Sequence, residues 1–260
     1  MNILIIGDIV GKPGRQVLRN CLNQIKNECS IDFIVANGEN LAGGVGIQPE
    51  SFQELLSMGI NVVTSGNHIW AKKEVKEVLG KDPRLLRPHN YPSGNLGTGF
   101  GIYSCKNIPI AVINLMGRVF MYPIDCPFKT ADSILQEIEN KAKIIIVDMH
   151  AEATSEKRAL AWYLDGRVSS VTGTHTHIMT ADEEILPRGT AYLTDIGMTG
   201  CTNSVIGVKK EMVIQRFLTA APTRFEGAEE PPYVFQAVTI SINEETGKSF
   251  RIERIRRTIF

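Results

Sequence analysis

The 260-residue chain has no net charge, since Lys plus Arg and Asp plus Glu are each 28. That balance excludes an extended nucleic-acid or membrane-binding surface and leaves room for a local charged pocket. Cysteine is sparse. Cys21, Cys29, Cys105, Cys126 and Cys201 are scattered, with no C-x-x-C pair. A disulfide framework and a zinc ribbon are both excluded, and reduced thiols in a cytoplasmic protein are expected. Long apolar runs are missing too: Ile3 to Ile6 is cut off by Gly7-Asp8. Such a run is too short for a signal peptide, and no stretch approaches the ~20 residues of a membrane span. No repeat, low-complexity segment or linker interrupts the chain.

The phosphate-loop signatures are also lacking. The stretch GDIVGKPGR, from Gly7 to Arg15, follows a strand-like run, but its glycines are one residue too close for G-x-x-x-x-G-K-[ST]. Pro13 stands where a magnesium-binding hydroxyl belongs, and proline has no N–H to offer a phosphate. The G-x-G-x-x-G spacing fails as well. A nucleotide-binding module working through glycines is therefore disfavoured.

What is present is a repeated unit: an apolar run, a polar end, then a helical pattern, three times within residues 2–80. Runs at 2–8, 32–40 and 60–68 are apolar enough for strands buried on both faces. Segments 15–28, 49–59 and 72–80 have helical spacing or punctuation. Residues 80–108 are rich in Gly, Pro and Asn and read as loops with room for a hairpin. Strands are expected at 108–115 and 143–150. Helices are expected at 129–142, capped by Thr130 or Asp132, and at 156–166. Segments 167–177 and 190–197 complete the middle. Residues 233–260 alternate around Glu-Thr-Gly as a hairpin exposed on one side. The expectation is one α/β domain spanning 1–260, with ligands at the carboxyl ends of its parallel strands.

At those ends sit Asp8, Glu39-Asn40, Asn67-His68, His150, and then His175 and His177. They include four of the five histidines; His89 lies in a loop. Singly, each has a bland reading: a cap for Asp8, a turn for Asn67-His68, a satisfied core histidine for His150. Jointly, ligand-type residues at every strand end point to a site. In extended backbone His175 and His177 would face the same way, and metal coordination would keep both imidazoles neutral. Two carboxylates, two amides and four histidines exceed the needs of one tetrahedral zinc. They suit two ions sharing a carboxylate. Nitrogen and oxygen donors without cysteine fit iron, manganese, zinc or cobalt. Two ions about 3.5–4 Å apart can activate a shared water and clamp phosphate oxygens.

The order Gly7-Asp8, Gly38-Glu39-Asn40, Gly66-Asn67-His68, His150 and Gly173-Thr174-His175-Thr176-His177 resembles the calcineurin-like metallophosphoesterase superfamily. That superfamily has Asp-x-His, Gly-Asp, Gly-Asn-His, lone His and Gly-His-x-His blocks. Val10 replaces the usual histidine of the first block, Glu39 the bridging aspartate, and Ile69 a frequent glutamate. These departures are similar to the bacterial YmdB-like subfamily. The resemblance implies a layered α/β/β/α sandwich with mixed sheets and outer helices. It also implies a di-iron site, with manganese or zinc as alternatives, and hydrolysis of small phosphodiesters including 2′,3′-cyclic nucleotides. Asp8, Glu39, Asn40 and His177 would hold one ion. Glu39, Asn67, His150 and His175 would hold the other, with Glu39 bridging. A water shared by the ions would attack phosphorus in line, and His68 would protonate the leaving oxygen.

The rival readings are a phosphomonoesterase or protein phosphatase using the same metals, and a metal-dependent regulatory protein with weak catalysis. Arg118 and the segment from Gly94 to Gly101 are rim candidates. Arg251, Arg254, Arg256 and Arg257 read as the solvated face of a last strand rather than an RNA surface. The exposed edge of that hairpin offers a place for a second subunit in a homo-oligomer.

Overall fold

The computed structural model describes residues 1–260. The first half runs β1 (Asn2–Ile6), β2 (Asp8–Ile9), α1 (Gly11–Glu28), β3 (Phe33–Asn37), α2 (Pro49–Ser57), β4 (Val62–Thr64), a 3-10 turn (Lys73–Glu77), β5 (Phe100–Cys105) and β6 (Ile108–Met116). The second half runs α3 (Pro127–Glu137), β7 (Ile144–His150), α4 (Thr154–Leu164), β8 (Ser170–Thr174), β9 (Glu184–Ile185), β10 (Ala191–Leu193), β11 (Met198–Cys201), α5 (Lys210–Thr219), β12 (Tyr233–Ile242) and β13 (Ser249–Ile259).

Two mixed sheets result. The first has the order β2-β11-β12-β1-β3-β4, with β13 added against β12. In it β1, β3 and β4 are parallel, and β12 is antiparallel to both β1 and β13. The second has the order β5-β6-β7-β8-β10-β9, with β6, β7, β8 and β10 parallel.

Side chains alternate across a strand, so each apolar strand feeds two cores. Ile3 and Ile5, Phe33 and Val35, Ile110 and Val112, and Ile144 and Ile146 meet between the sheets. The intervening residues of the first sheet, Leu4, Ile6, Ile34 and Ala36, pack under Val17, Leu18 and Leu22 of α1 and Phe52 of α2. Those of the second sheet, Ala111, Ile113, Ile145 and Val147, pack under Ala131 and Ile134 of α3 and Leu160 and Leu164 of α4. The layering is therefore α/β/β/α, as expected. No helix is long and apolar enough to cross a membrane.

Several boundaries differ from expectation. α1 begins at Gly11, so Pro13 lies in its first turn, where a missing N–H costs nothing. α3 starts at Pro127 with Cys126 before it and no side-chain cap, so neither Thr130 nor Asp132 caps it. Asp132 instead accepts hydrogen bonds from Tyr163 and Arg167 beside α4. Residues 73–77 form only a 3-10 turn, because Val75 alone is buried there and the segment is too short to sustain a helix. α5 has no counterpart in the sequence reading; only Val213 of it is buried, so its periodicity carries little signal. The hairpin within 80–108 is real: β5 and β6 join through Lys106 and Asn107, both in left-handed backbone.

Candidate metal centre

At the carboxyl end of β7, the face that carries Ile144 and Ile146 into the inter-sheet core continues with Asp148 and His150. The same alternation in β3 brings Asn37 to the inter-sheet space, just before Glu39 and Asn40. Asp8, Glu39, Asn40 and His150 are all buried, and His68, His175 and His177 are partly exposed. The eight strand-end residues thus gather where the two sheets end side by side.

Their atoms converge closely. His150 Nε2 lies 3.1 Å from Glu39 Oε2, 3.0 Å from Asn67 Oδ1 and 3.1 Å from His175 Nδ1. His177 Nε2 lies 3.0 Å from Asn40 Nδ2 and 3.9 Å from Asp8 Oδ1. His68 N–H donates to Glu39 Oε2 at 3.3 Å, and its Nδ1 is 3.0 Å from Asn40 Oδ1. Two groups of three could each hold an ion: Glu39, His150 and His175, and Asp8, Glu39 and His177. Glu39 belongs to both. Gly66 lies against this cluster, and a Cβ there would run into the His150 ring and the Glu39 carboxylate.

The outer contacts show which nitrogen of each histidine is left for an ion. Thr174 Oγ1 donates to Asp148 Oδ1 at 2.7 Å, so it accepts from His150 Nδ1 at 2.9 Å. His177 Nδ1 donates to the Ile206 carbonyl at 2.8 Å. His175 Nε2 lies 3.1 Å from Glu152 Oε2. Each ring thus has one nitrogen anchored outside and the other aimed inward, the arrangement that orients metal-ligating imidazoles. Asp8 Oδ1 is buried without a hydrogen-bond partner, while Oδ2 accepts the His175 N–H at 3.1 Å. A buried carboxylate oxygen left unpaired is costly unless a cation satisfies it. The nitrogen and oxygen donor set therefore fits a pair of divalent ions.

The electrostatics are those of a site crowded with acceptors. Burial pushes Asp8 up to about 6, against the opposing pull of His177 and His150. Burial would also raise Glu39, but His150, His68 and His175 around it hold it down at about 2. Burial disfavours a charged His150, yet Glu39, Asp8 and Asp148 raise it to about 9. Burial and the neighbouring His150 charge push His175 down to about 3. In the metal-free protein one imidazolium thus sits against Glu39, with a neutral His175 accepting from it.

Two details depart from the sequence reading. His175 and His177 are not in extended backbone; their φ angles are +99° and +64°. They reach the site through a left-handed turn held by its neighbours. Asn40 directs Nδ2 toward His177 and Glu39, so offering Oδ1 to an ion requires the amide to turn over. Its Nδ2 would then donate to His68 Nδ1 and leave the proton on Nε2. Val10, where a histidine is usual, is buried against Gly200 and Gly207.

Residues missed in the sequence are Asp148, Glu152, Lys157, Thr174 and Asp195. Asp195 follows β10 as Asp8 follows β1, and that strand-end signal was available. Of the rim candidates, Arg118 and Gly94–Gly101, neither lines the cavity against Asn67 and His175. Of the four tail arginines, Arg251, Arg254 and Arg257 pair with Glu253, Glu183 and Glu28, as a solvated strand face should.

Residues 4–255 match the YmdB-like protein family. The chain belongs to the YmdB-like family. A family relative from Bacillus subtilis (strain 168), named 2′,3′-cyclic-nucleotide 2′-phosphodiesterase, is 45% identical over 98% of this chain and 96% of its own. A crystal structure of a hypothetical protein from Thermus thermophilus has a TM-score of 0.94 at 41% identity, covering 100% of both chains. A structure described as a novel phosphatase from Mycoplasma pneumoniae has a TM-score of 0.93 at 33% identity, covering 99% of this chain and 93% of that one. YmdB-like membership agrees with the departures at Val10, Glu39 and Ile69.

Proposed function

We propose that this YmdB-like protein is a metal-dependent phosphodiesterase acting on small phosphodiesters, with 2′,3′-cyclic nucleotides as the substrate class. The observation that carries the reading is the sharing of Glu39 by two groups of potential ligands. The Bacillus subtilis relative's name supports the substrate class. Residues 1–260 act as one catalytic domain, and the five free cysteines support a cytoplasmic setting.

Asp8, Glu39, Asn40 and His177 would hold one ion, and Glu39, Asn67, His150 and His175 the other, with Glu39 between them. Iron is the proposed metal, with manganese and zinc suiting the same donors. Two divalent ions in such a site supply an activated water and neutralise charge on the phosphoryl oxygens. The chain's part is to orient and to move a proton. His68 is partly exposed and anchored through Nδ1 by Asn40, so Nε2 is the nitrogen left to protonate the departing ribose oxygen. Glu39 and Asn40 fix the ring through its backbone N–H and Nδ1.

The test is elemental analysis of protein purified without added metal, alongside hydrolysis of adenosine 2′,3′-cyclic phosphate and p-nitrophenyl phosphate. Bound transition metal with faster cyclic-nucleotide turnover is expected. Faster monoester turnover would favour the phosphomonoesterase reading. A folded, metal-free and inactive protein would overturn the metal site.

A further inference from the structure

A cavity of about 360 Å³ opens against the metal centre, lined by Asn67, Phe120, Met121, Tyr122 and His175. Its two ends differ in chemistry. Asn67 and His175 belong to the candidate metal centre. The opposite wall is apolar and aromatic, and comes from the loop between β6 and α3. A larger cleft of about 910 Å³, walled by Lys209, Arg224 and Glu226, includes none of the strand-end residues.

Phe120 is 90% exposed, so it contributes almost nothing to the core. It also has a φ of +60°, a backbone conformation that a bulky side chain rarely adopts. An exposed aromatic in strained backbone has no folding rationale, and strain of this kind collects at ligand sites. Tyr122 is 59% exposed beside it. The loop is nevertheless fixed at its base. Gly117 N–H donates to the His150 carbonyl at 2.9 Å. Arg118 and Val119 N–H groups donate to the Glu156 carboxylate at 3.0 and 3.2 Å. Asn90 Nδ2 donates to the carbonyls of Met116 and Asp125 at 2.7 and 3.0 Å. Gly117 permits this docking, since a Cβ there would stand 2.5 Å from Glu156 Oε2 and 2.6 Å from Ala151 Cβ. Met121 packs onto the core under α3 and α4. The aromatic tip is thus presented on a rigid support, which lowers the ordering cost of binding.

We infer that Phe120 and Tyr122 form a stacking wall for the planar heteroaromatic base of a mononucleotide whose phosphate lies at Asn67 and His175. This rests on the phosphodiesterase reading and extends it to recognition of the base. An amphipathic cavity with metal-ligand side chains at its inner end and an aromatic outer wall fits a nucleotide better than a simple phosphate ester. At about 360 Å³ the cavity is near the lower end of small-molecule sites, which run from about 300 to 1,000 Å³. That suits a single nucleotide rather than a polymer.

The test uses the metal-loaded enzyme with adenosine 2′,3′-cyclic phosphate and base-free ribose 2′,3′-cyclic phosphate. Wild type is expected to show a KM roughly ten-fold lower for the base-bearing substrate, the scale of one base–aromatic stack. Phe120→Ala removes that preference and Phe120→Trp keeps it. Equal KM values in wild type, or an unchanged preference in Phe120→Ala, overturn the stacking wall and leave the phosphodiesterase reading standing. Hydrolysis of neither substrate sinks the phosphodiesterase reading instead. Fluorescence titration with ethenoadenosine monophosphate decides the wall without turnover. Quenching that weakens roughly ten-fold in Phe120→Ala supports it, and equal affinity in the two proteins overturns it.

Discussion

Lys157 places its Nζ 2.7 Å from Asp195 Oδ2, where solvent reaches neither group. The ammonium also donates to the Thr174 carbonyl at 2.8 Å. Asp195 accepts the N–H of Thr176 at 3.1 Å and of Gly197 at 2.8 Å. The pair therefore grips both sides of His175. With His175 and His177 at positive φ, the turn stores strain of order 1–3 kcal/mol per residue. The buried pair is what offsets it. Removing one partner leaves a buried charge uncompensated, so Lys157→Met should cost about 3–5 kcal/mol of folding stability. The double variant Lys157→Met, Asp195→Leu should recover much of that in urea unfolding. It should still bind metal more weakly than wild type, because the histidine turn has lost its clamp. Full metal affinity in the double variant would show that the clamp is dispensable.

Thr174 offers a test confined to one histidine. Its hydroxyl links His150 Nδ1 to Asp148, which also accepts from Asn37 Nδ2 at 3.1 Å and Thr64 Oγ1 at 2.5 Å. Burial pushes the Asp148 carboxyl up, against the pull of His150 and these donors. Thr174→Val keeps the shape and deletes the link. Affinity for one ion should fall roughly 10–100-fold, the usual effect of losing such a support. Isothermal titration with Mn²⁺ should resolve one weakened site beside one near wild type. Equal weakening of both sites would mean that His150 is not private to one ion.

The strand ends were legible because an apolar run followed by Asp, Glu, Asn or His has few structural explanations. Glu39 and His150 each come three residues after an unbroken apolar run, Phe33–Ala36 and Ile144–Val147, and the βαβ order brings them to one edge. The pairing of Lys157 with Asp195 was not legible, because nothing local says that a helix lysine and a strand-end aspartate 38 positions apart will meet. The left-handed turn at His175 was hidden for the same reason: its cause is the buried pair, not its own sequence. Phe120 drew no reading from the sequence, since only its exposure beside Asn67 and His175 distinguishes it. α5 escaped because a helix burying only Val213 leaves almost no periodic apolar face.

Stability should fall more steeply with rising pH in the metal-free protein than in the loaded one. In the metal-free protein His150 titrates near 9 against an ordinary 6.5. Between those values the folded state holds a proton that the unfolded chain has lost, so stability falls as pH rises. His175, held near 3, and Asp8, near 6, act below this window. An ion at His150 Nε2 must displace that proton, so metal binding, and the stability it confers, strengthens as pH rises. Chelator-treated protein should lose on the order of 1–3 kcal/mol over this window, and loaded protein should lose less or gain. His150→Gln should flatten the metal-free slope. A metal-free protein whose Tm rises across the window would rule out a charged His150.

The proton-donor role of His68 can be separated from metal binding by the leaving group. A ribose alkoxide needs protonation as it departs, whereas p-nitrophenolate leaves well without it. His68→Gln should therefore cut turnover of a 2′,3′-cyclic nucleotide by about 10²–10⁴-fold. It should affect bis(p-nitrophenyl) phosphate much less, with metal content unchanged. His68 also donates its backbone N–H to Glu39, a contact that the glutamine variant keeps. A loss equal on both substrates would point to damage at Asn40 or Glu39 instead. Full cyclic-nucleotide turnover in His68→Gln would assign the proton to another donor.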